Sequence, residues 1–274
     1  MLSAVLTLGA AGLVFGGFLA LAAQRFKVEE DSRVAEILAV LPGANCGACG
    51  FPGCAGLAEA VAKGEAPCKA CVPGGDAVAE KLASIMGMAR EAVRPMKAVV
   101  YCQGDDDRAE IVAEYHGVMD CRALHQLGGS KGCPYGCLGL GNCVRACAFG
   151  AIYMAPGGLP VVNEEKCTGC GACVRACPRG VIDLVPADKQ VHILCRSYDK
   201  GPQVRQYCKV GCIACRICVR SCPQNAISMD RDTLAVIDYS LCDNCGICAT
   251  KCPVKTIVDN NNKSEVPEAG KQVS

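Results

Sequence analysis

Apolar and polar positions are spread unevenly along the chain. The first 23 residues, MLSAVLTLGAAGLVFGGFLALAA, hold no charged side chain, and such a run is long enough to cross the roughly 30 Å hydrocarbon layer as a helix. It lacks a basic leader and is longer than a typical signal-peptide core, so a span is predicted rather than a cleaved signal, despite the ALAA at its end. Arg25 and Lys27 follow directly. The positive-inside rule then predicts a single-pass protein whose bulk lies on the cytoplasmic side of the inner membrane. Helical periodicity predicts two short helices over residues 33–40 and 56–63, separated by a Cys-rich loop. Further on, residues 151–162 (AIYMAPGGLPVV) and 226–237 (AISMDRDTLAVI) each place two apolar runs around a turn and read as hairpins. The end, DNNNKSEVPEAGKQVS, is polar and reads as a disordered tail.

Composition makes this pattern unusual. Of 274 residues 51% are hydrophobic, yet there is no Trp, aromatics are only 4%, and 25 Cys inflate the apolar count. The large side chains that ordinarily fill a core are scarce, so something besides apolar burial must hold the chain together. Dense cysteine means disulfides, zinc or iron–sulfur clusters; a reducing cytoplasmic setting disfavours disulfides. The net charge of +1 gives no reason to expect nucleic acid or another strongly charged partner.

Spacing separates the remaining two. CTGCGACVRACP (from Cys167), CIACRICVRSCP (from Cys212) and CDNCGICATKCP (from Cys242) share C-x2-C-x2-C-x3-C-P, and CPYGCLGLGNCVRAC (from Cys133) is a stretched copy with Ala148 where the others have Pro. This is the run in which three thiolates take one [4Fe–4S] cube and the fourth ligates its neighbour. Zinc sites of four thiolates come instead as two separated pairs. The crossed sets predicted are Cys133, Cys137, Cys143 with Cys177; Cys167, Cys170, Cys173 with Cys147; Cys212, Cys215, Cys218 with Cys252; and Cys242, Cys245, Cys248 with Cys222. In CGACGFPGC, Cys46, Cys49 and Cys54 are spaced for a further cluster closed by Cys71, and no His or second pair completes a zinc knuckle there. Those twenty ligands leave Cys68, Cys102, Cys121, Cys195 and Cys208. Cys102 and Cys121 flank the first ferredoxin unit and Cys195 and Cys208 the second, so together they could hold a sixth cluster, with Cys68 spare; five or six clusters are expected, six favoured.

The other candidates are weak. His116, His125 and His192 stand at no metal-binding interval and read as surface or packing residues. The acidic run at Asp105 reads as a solvated loop, and GCLGLGN, inside a Cys motif, as loop geometry rather than a dinucleotide site. Arg145, Arg175, Arg216 and Arg220 sit among the ligands, where they could raise cluster potentials or face solvent. With no visible place for NAD or flavin, the chain is expected to move single electrons and to leave two-electron chemistry to partners.

An N-terminal span, a CGACGFPGC loop closed near VPGG, and tandem ferredoxin motifs together resemble the B subunit of the Rnf complex, the membrane-bound ferredoxin:NAD oxidoreductase that pumps Na+ or H+. The resemblance covers nearly the whole chain except the tail, in a long form with two ferredoxin-like units. It implies an electron-transfer subunit, without a complete active site of its own, that takes electrons from soluble reduced ferredoxin and passes them to other Rnf subunits. The stretched first copy, its Ala148 and the spare Cys68 depart from that pattern. A scaffold with purely structural clusters, or an electron-transfer subunit of a hydrogenase or heterodisulfide reductase assembly, are the other classes these residues allow. The expected architecture is α+β: a transmembrane anchor (1–24), an N-terminal 4Fe–4S domain (25–97), a connecting segment (98–132), ferredoxin-like unit 1 (133–194), a second connecting segment (195–211), unit 2 (212–258) and the tail (259–274).

Overall fold

The computed structural model describes residues 2–25, 31–89 and 92–262, and the side chains of residues 2–8, 23–24 and 262 lie outside that description. Helix α1 (Leu2–Arg25) forms where the uncharged run predicts a helix. Among the described residues, however, no helix is long and apolar enough to cross a membrane. The transmembrane element of the expected fold class and the single-pass placement in the inner membrane are therefore corrected.

Helices α2 (Ser32–Val40), α3 (Gly53–Ala62) and α4 (Gly75–Met86) make a small bundle. Asp31 starts α2 by accepting the Arg33 backbone N–H at 3.0 Å, an N-cap that satisfies one of the helix's orphan donors. Ile37, Leu41, Leu57, Val61 and Leu82 are buried between the three helices, and Cys71 is buried with them.

The rest of the described chain is one pattern written twice. Its first half runs β1 (Met96–Val100), α5 (Cys121–Gln126), α6 (Asn142–Arg145), β2 (Ile152–Met154), β3 (Pro160–Val162), α7 (Ala172–Ala176) and β4 (Ile182–Pro186). The second runs β5 (Val191–Ile193), α8 (Gly201–Tyr207), α9 (Ile217–Ser221), β6 (Ile227–Asp230), β7 (Leu234–Ile237), α10 (Ile247–Lys251) and β8 (Ile257–Asp259). Strands β2 and β3 pair as the first expected hairpin, and β6 and β7 as the second. Each unit is closed by an antiparallel pair, β1 with β4 in one and β5 with β8 in the other. Both closing partners differ from the expected division, which left residues 98–132 as a connector and put β5 in unit 1. The tail also begins later: Asp259 ends β8, Asn260–Asn262 form a short 3-10 turn, and residues 263–274 lie outside the described residues.

Both unit cores are small and contain thiols. Ala98, Ile152, Val181 and Ile182 are buried with Cys137, Cys143 and Cys173; Val191, Ile193, Ile227, Leu234 and Ile257 are buried with Cys212, Cys218 and Cys248. The units also grip each other. Gln103 Nε2 donates to the carbonyls of Lys255 and Thr256, each at 3.0 Å, and buried His192 meets the Tyr239 hydroxyl at 2.8 Å, which in turn lies 3.3 Å from that of Tyr101. His192 is thus a packing residue, whereas His116 and His125 are exposed.

The backbone approaches closely at Gly169, which has φ +69° and whose added Cβ would stand 2.4 Å from the Met96 carbonyl oxygen. Gly169→Ala combines left-handed strain, about 1–2 kcal/mol, with displacement of the first closing strand. The expected result is a thermal unfolding midpoint several degrees below that of the unaltered chain.

Candidate metal centres

Local geometry turns the cysteines inward. The short helix of each motif begins after a residue in the left-handed region, Gly171 (φ +73°) before α7 and Arg216 (φ +57°) before α9. That kink aims the next thiols at the unit's centre. Arg216 adopts it without glycine's freedom and pairs at the surface with Asp232 at 2.7 Å. Backbone amides also point at sulfur: the N–H groups of Ala98, Ala151 and Ala226 donate to Cys167, Cys147 and Cys222 Sγ at 3.3–3.4 Å.

In the N-terminal bundle, the loop between α2 and α3 carries Cys46, Cys49 and Cys54, and Asn45 Oδ1 accepts the Cys54 N–H at 2.8 Å, bending the loop back on itself. Burial raises the Cys71 thiol above its ordinary range, and the nearby Cys54, Cys49 and Cys46 raise it further. These four form one neighbourhood. Cys68, in the turn just before Cys71, packs against the same core.

Unit 2 gathers its thiols in two groups. Burial pushes Cys218 up to about 11, with Cys212, Cys215 and Cys252 as neighbours. Cys222, Cys242, Cys245 and Cys248 line one recess of about 310 Å³, its mouth included. In unit 1, Cys173 is pushed up to about 12 by burial and then by Cys167 and Cys170.

The stretched copy departs from the predicted sets. Cys121, Cys137, Cys143 and Cys177 line one recess of about 350 Å³, while Cys102, Cys133, Cys195 and Cys208 line another of about 440 Å³. Cys121 and Cys133 have exchanged places. The cause is visible at α5: Asn142 Oδ1 accepts the Cys121 N–H at 2.9 Å, and Asn142 Nδ2 donates to the cap residue Asp120 at 3.1 Å. These bonds hold Cys121 beside Cys143 on α6. Cys143, pushed up to about 11 by burial, has Cys177 and Cys121 as its neighbours. Cys133, also about 11 through burial, has Cys102 and Cys208 instead.

A signal for this exchange lies in the chain itself. Cys133 precedes Cys137 in CPYGC as Cys208 precedes Cys212 in CKVGC, and Cys102 follows β1 by two residues as Cys195 follows β5. Aligning the two halves makes Cys133 the counterpart of Cys208, not of a motif ligand. It also puts Leu140 opposite Cys215, and Cys121 from α5 brings a fourth thiol to that recess.

Neighbouring sets touch. The Cys137 N–H donates to Cys102 Sγ and the Cys212 N–H to Cys195 Sγ, both at 3.4 Å, so the junction set meets one set in each unit. Within the units, Cys143 adjoins Cys173 and Cys218 adjoins Cys248. Arg175 donates to the carbonyls of both Cys170 and Cys46 at 3.4 Å, bridging unit 1 to the N-terminal loop.

No described cysteine is in a disulfide. Among the described residues, no group of three or more His, Cys, Asp or Glu side chains converges on a single-ion site. Sets of four thiols around a recess, with amides directed at sulfur, fit a larger inorganic body such as a [4Fe–4S] cube, whose irons each take one cysteine.

Fold and thiol geometry define a multi-cluster iron–sulfur protein of the ferredoxin class. Comparison with known families agrees: an Fe–S cluster family matches residues 41–73, the 4Fe-4S binding domain residues 160–183, and the 4Fe-4S dicluster domain residues 211–256. The B subunit of the Na(+)-translocating ferredoxin:NAD(+) oxidoreductase complex of Acetobacterium woodii is 47% identical over 94% of this chain and 78% of its own length. That of the ion-translocating oxidoreductase complex of Methanosarcina acetivorans is 42% identical over 94% and 97%. That of the proton-translocating ferredoxin:NAD(+) oxidoreductase complex of Clostridium ljungdahlii is 47% identical over 92% and 90%. The chain belongs to the B-subunit family of the Rnf ion-translocating oxidoreductase complexes, and it is an electron-transfer subunit of such a complex.

Paired substitutions distinguish the two ligand assignments. Cys121→Ser with Cys177→Ser falls in one set and should cost one cluster, about four irons per chain; Cys133→Ser with Cys177→Ser falls in two and should cost about eight. The reverse pattern on anaerobically purified protein would restore the assignment made from spacing.

Proposed function

We propose that the chain is a linear wire of six [4Fe–4S] clusters. In order, the stations are Cys46, Cys49, Cys54 and Cys71; Cys147, Cys167, Cys170 and Cys173; Cys121, Cys137, Cys143 and Cys177; Cys102, Cys133, Cys195 and Cys208; Cys212, Cys215, Cys218 and Cys252; and Cys222, Cys242, Cys245 and Cys248. The observation that carries this reading is the succession of neighbouring sets: amide-to-sulfur bonds join the junction set to both units, Cys143 and Cys173, and Cys218 and Cys248, are electrostatic neighbours, and Arg175 bridges the carbonyls of Cys170 and Cys46. When bound, the clusters would supply one-electron redox chemistry. The chain's own residues hold them by thiolate, direct amides at the sulfurs, exclude water and keep successive stations in contact.

The two ends differ. Cys245 is the one exposed thiol among the described cysteines, and Leu241 and Ile247 beside it are exposed apolar residues. That end suits a soluble electron carrier, and two relatives are named for ferredoxin:NAD(+) oxidoreductase complexes, which supports reduced ferredoxin as the donor. Electrons would then leave through the N-terminal cluster to the other Rnf subunits. NAD reduction and ion movement belong to those partners; the chain itself carries electrons.

Iron and acid-labile sulfide on anaerobically purified protein test the count. Six cubes predict about 24 of each per chain, five about 20, and zinc in their place would overturn the reading. The route is tested separately: Cys46→Ser should leave ferredoxin able to reduce the chain while electron delivery to the assembled complex falls at least tenfold. Undiminished delivery would mean that electrons do not leave through the N-terminal domain.

A further inference from the structure

The recess between the two units differs in charge from two other recesses lined by four cysteines. Lys131 and Arg196 line it beside Cys102, Cys133, Cys195 and Cys208, and no carboxylate does. The recess at the far end of unit 2, by contrast, is lined by Asp243 and no cation, and that holding Cys121 by Arg179 alone.

Lys131 is only 8% exposed. Its Nζ donates to the Gly104 carbonyl at 2.8 Å and pairs with Asp106 at 3.3 Å. Asp106 is itself 57% exposed, so water screens the carboxylate far more than the buried ammonium, and a net positive field is left at the recess. Arg196 stacks over the Tyr101 ring at 4.1 Å and pairs with Asp183 at 2.9 Å. Its Nε–H is buried with no acceptor among the described residues. Three amide-to-sulfur bonds add to this field, two to Cys195 from Ser197 and Cys212 and one to Cys102 from Cys137.

Reducing a [4Fe–4S] cube adds a negative charge, so cations and amide donors nearby favour the reduced form. Burial alone would disfavour it, but burial also strengthens the field of an unscreened cation. We propose that Lys131, assisted by Arg196, makes the junction cluster the highest-potential station of the chain, the point where electrons collect between the two ferredoxin units. The proposal rests on the reading of Cys102, Cys133, Cys195 and Cys208 as one cluster. Lys131 acts here as a tuning residue; it ligates nothing.

The test is a potentiometric titration of the full chain followed by electron paramagnetic resonance, with the junction signal identified as the one lost in Cys195→Ser. In the unaltered protein that signal should be the first to appear as the potential is lowered. Lys131→Gln keeps a donor for Gly104 and removes the charge; with iron content unchanged, it should shift the junction cluster at least tenfold toward the oxidised form, 59 mV for one electron. Lys131→Arg should restore the original value, which a merely structural role does not require. An unchanged junction midpoint in Lys131→Gln, or a junction cluster reduced after the others, would overturn the proposal. Should Lys131→Gln fail to retain iron, Arg196→Gln is read instead, with a smaller shift in the same direction expected and no shift counting against. Full iron content in both Cys102→Ser and Cys195→Ser would instead show that the junction holds no cluster, a failure of the ligand reading distinct from failure of the tuning.

Discussion

The structure depends on thiols buried where other domains bury leucine. Unit 2 orders residues 191–259 around Val191, Ile193, Ile227, Leu234, Ala235 and Ile257. Ordering the backbone costs conformational entropy at every residue, and a core this thin offers few buried aliphatic groups to set against it. So few apolar groups cannot carry so long a chain. Metal bound by Cys212, Cys218 and Cys248 at the centre of the same core would cross-link distant segments, and its binding free energy becomes folding free energy. The raised thiols fit that dependence: burial pushes Cys195 and Cys248 each up to about 12, which favours the protonated thiol where no metal is bound.

The second organising fact is duplication. Each half closes with a strand that leads, two residues on, to a junction thiol, Cys102 after β1 and Cys195 after β5. Each half adds another junction thiol four residues before its first motif ligand, Cys133 before Cys137 and Cys208 before Cys212. The junction set is therefore pseudo-symmetric, with two thiols from either half. The isolated bridge between Ala109 and Cys208, and the Glu110 N–H donating to the Tyr207 carbonyl at 2.8 Å, tie the long loop of the first half onto α8 of the second.

What the sequence made legible was whatever local spacing encodes. Three thiols within seven residues can wrap only one small body, so the three regular motifs and both hairpins could be read directly. The exchange of Cys121 and Cys133 could not, because spacing favours the nearest cysteine and ignores the Asn142 and Asp120 hydrogen bonds that bring α5 to α6. The internal alignment of CPYGC with CKVGC was the available signal, masked by the missing middle cysteine of the stretched copy. The acidic run at Asp105 read as mere solvated loop because its use is long-range: Asp106 meets Lys131, and Asp105 caps the turn that ends at Arg108. At the N-terminus, the lack of charge suggested a membrane span, whereas among the described residues no helix is long and apolar enough to cross a membrane.

Two ferredoxin-like units joined by a flexible linker would face a gap that electrons must cross, and the linker's motion would set the rate of crossing. Here the gap is itself a candidate cluster site. The donors that secure it, the Cys137 and Cys212 amides, belong to ligands of the flanking sets, so the bonds that position the junction sulfurs also fix the separation of the stations on either side. Redox contact and rigid assembly then have the same cause: a substitution that loosens Cys102 or Cys195 releases one unit from the other as well as removing a station. With a cluster at the junction, a duplicated module would become a single conductor because the seam between its copies is built from the residues that would otherwise merely connect them.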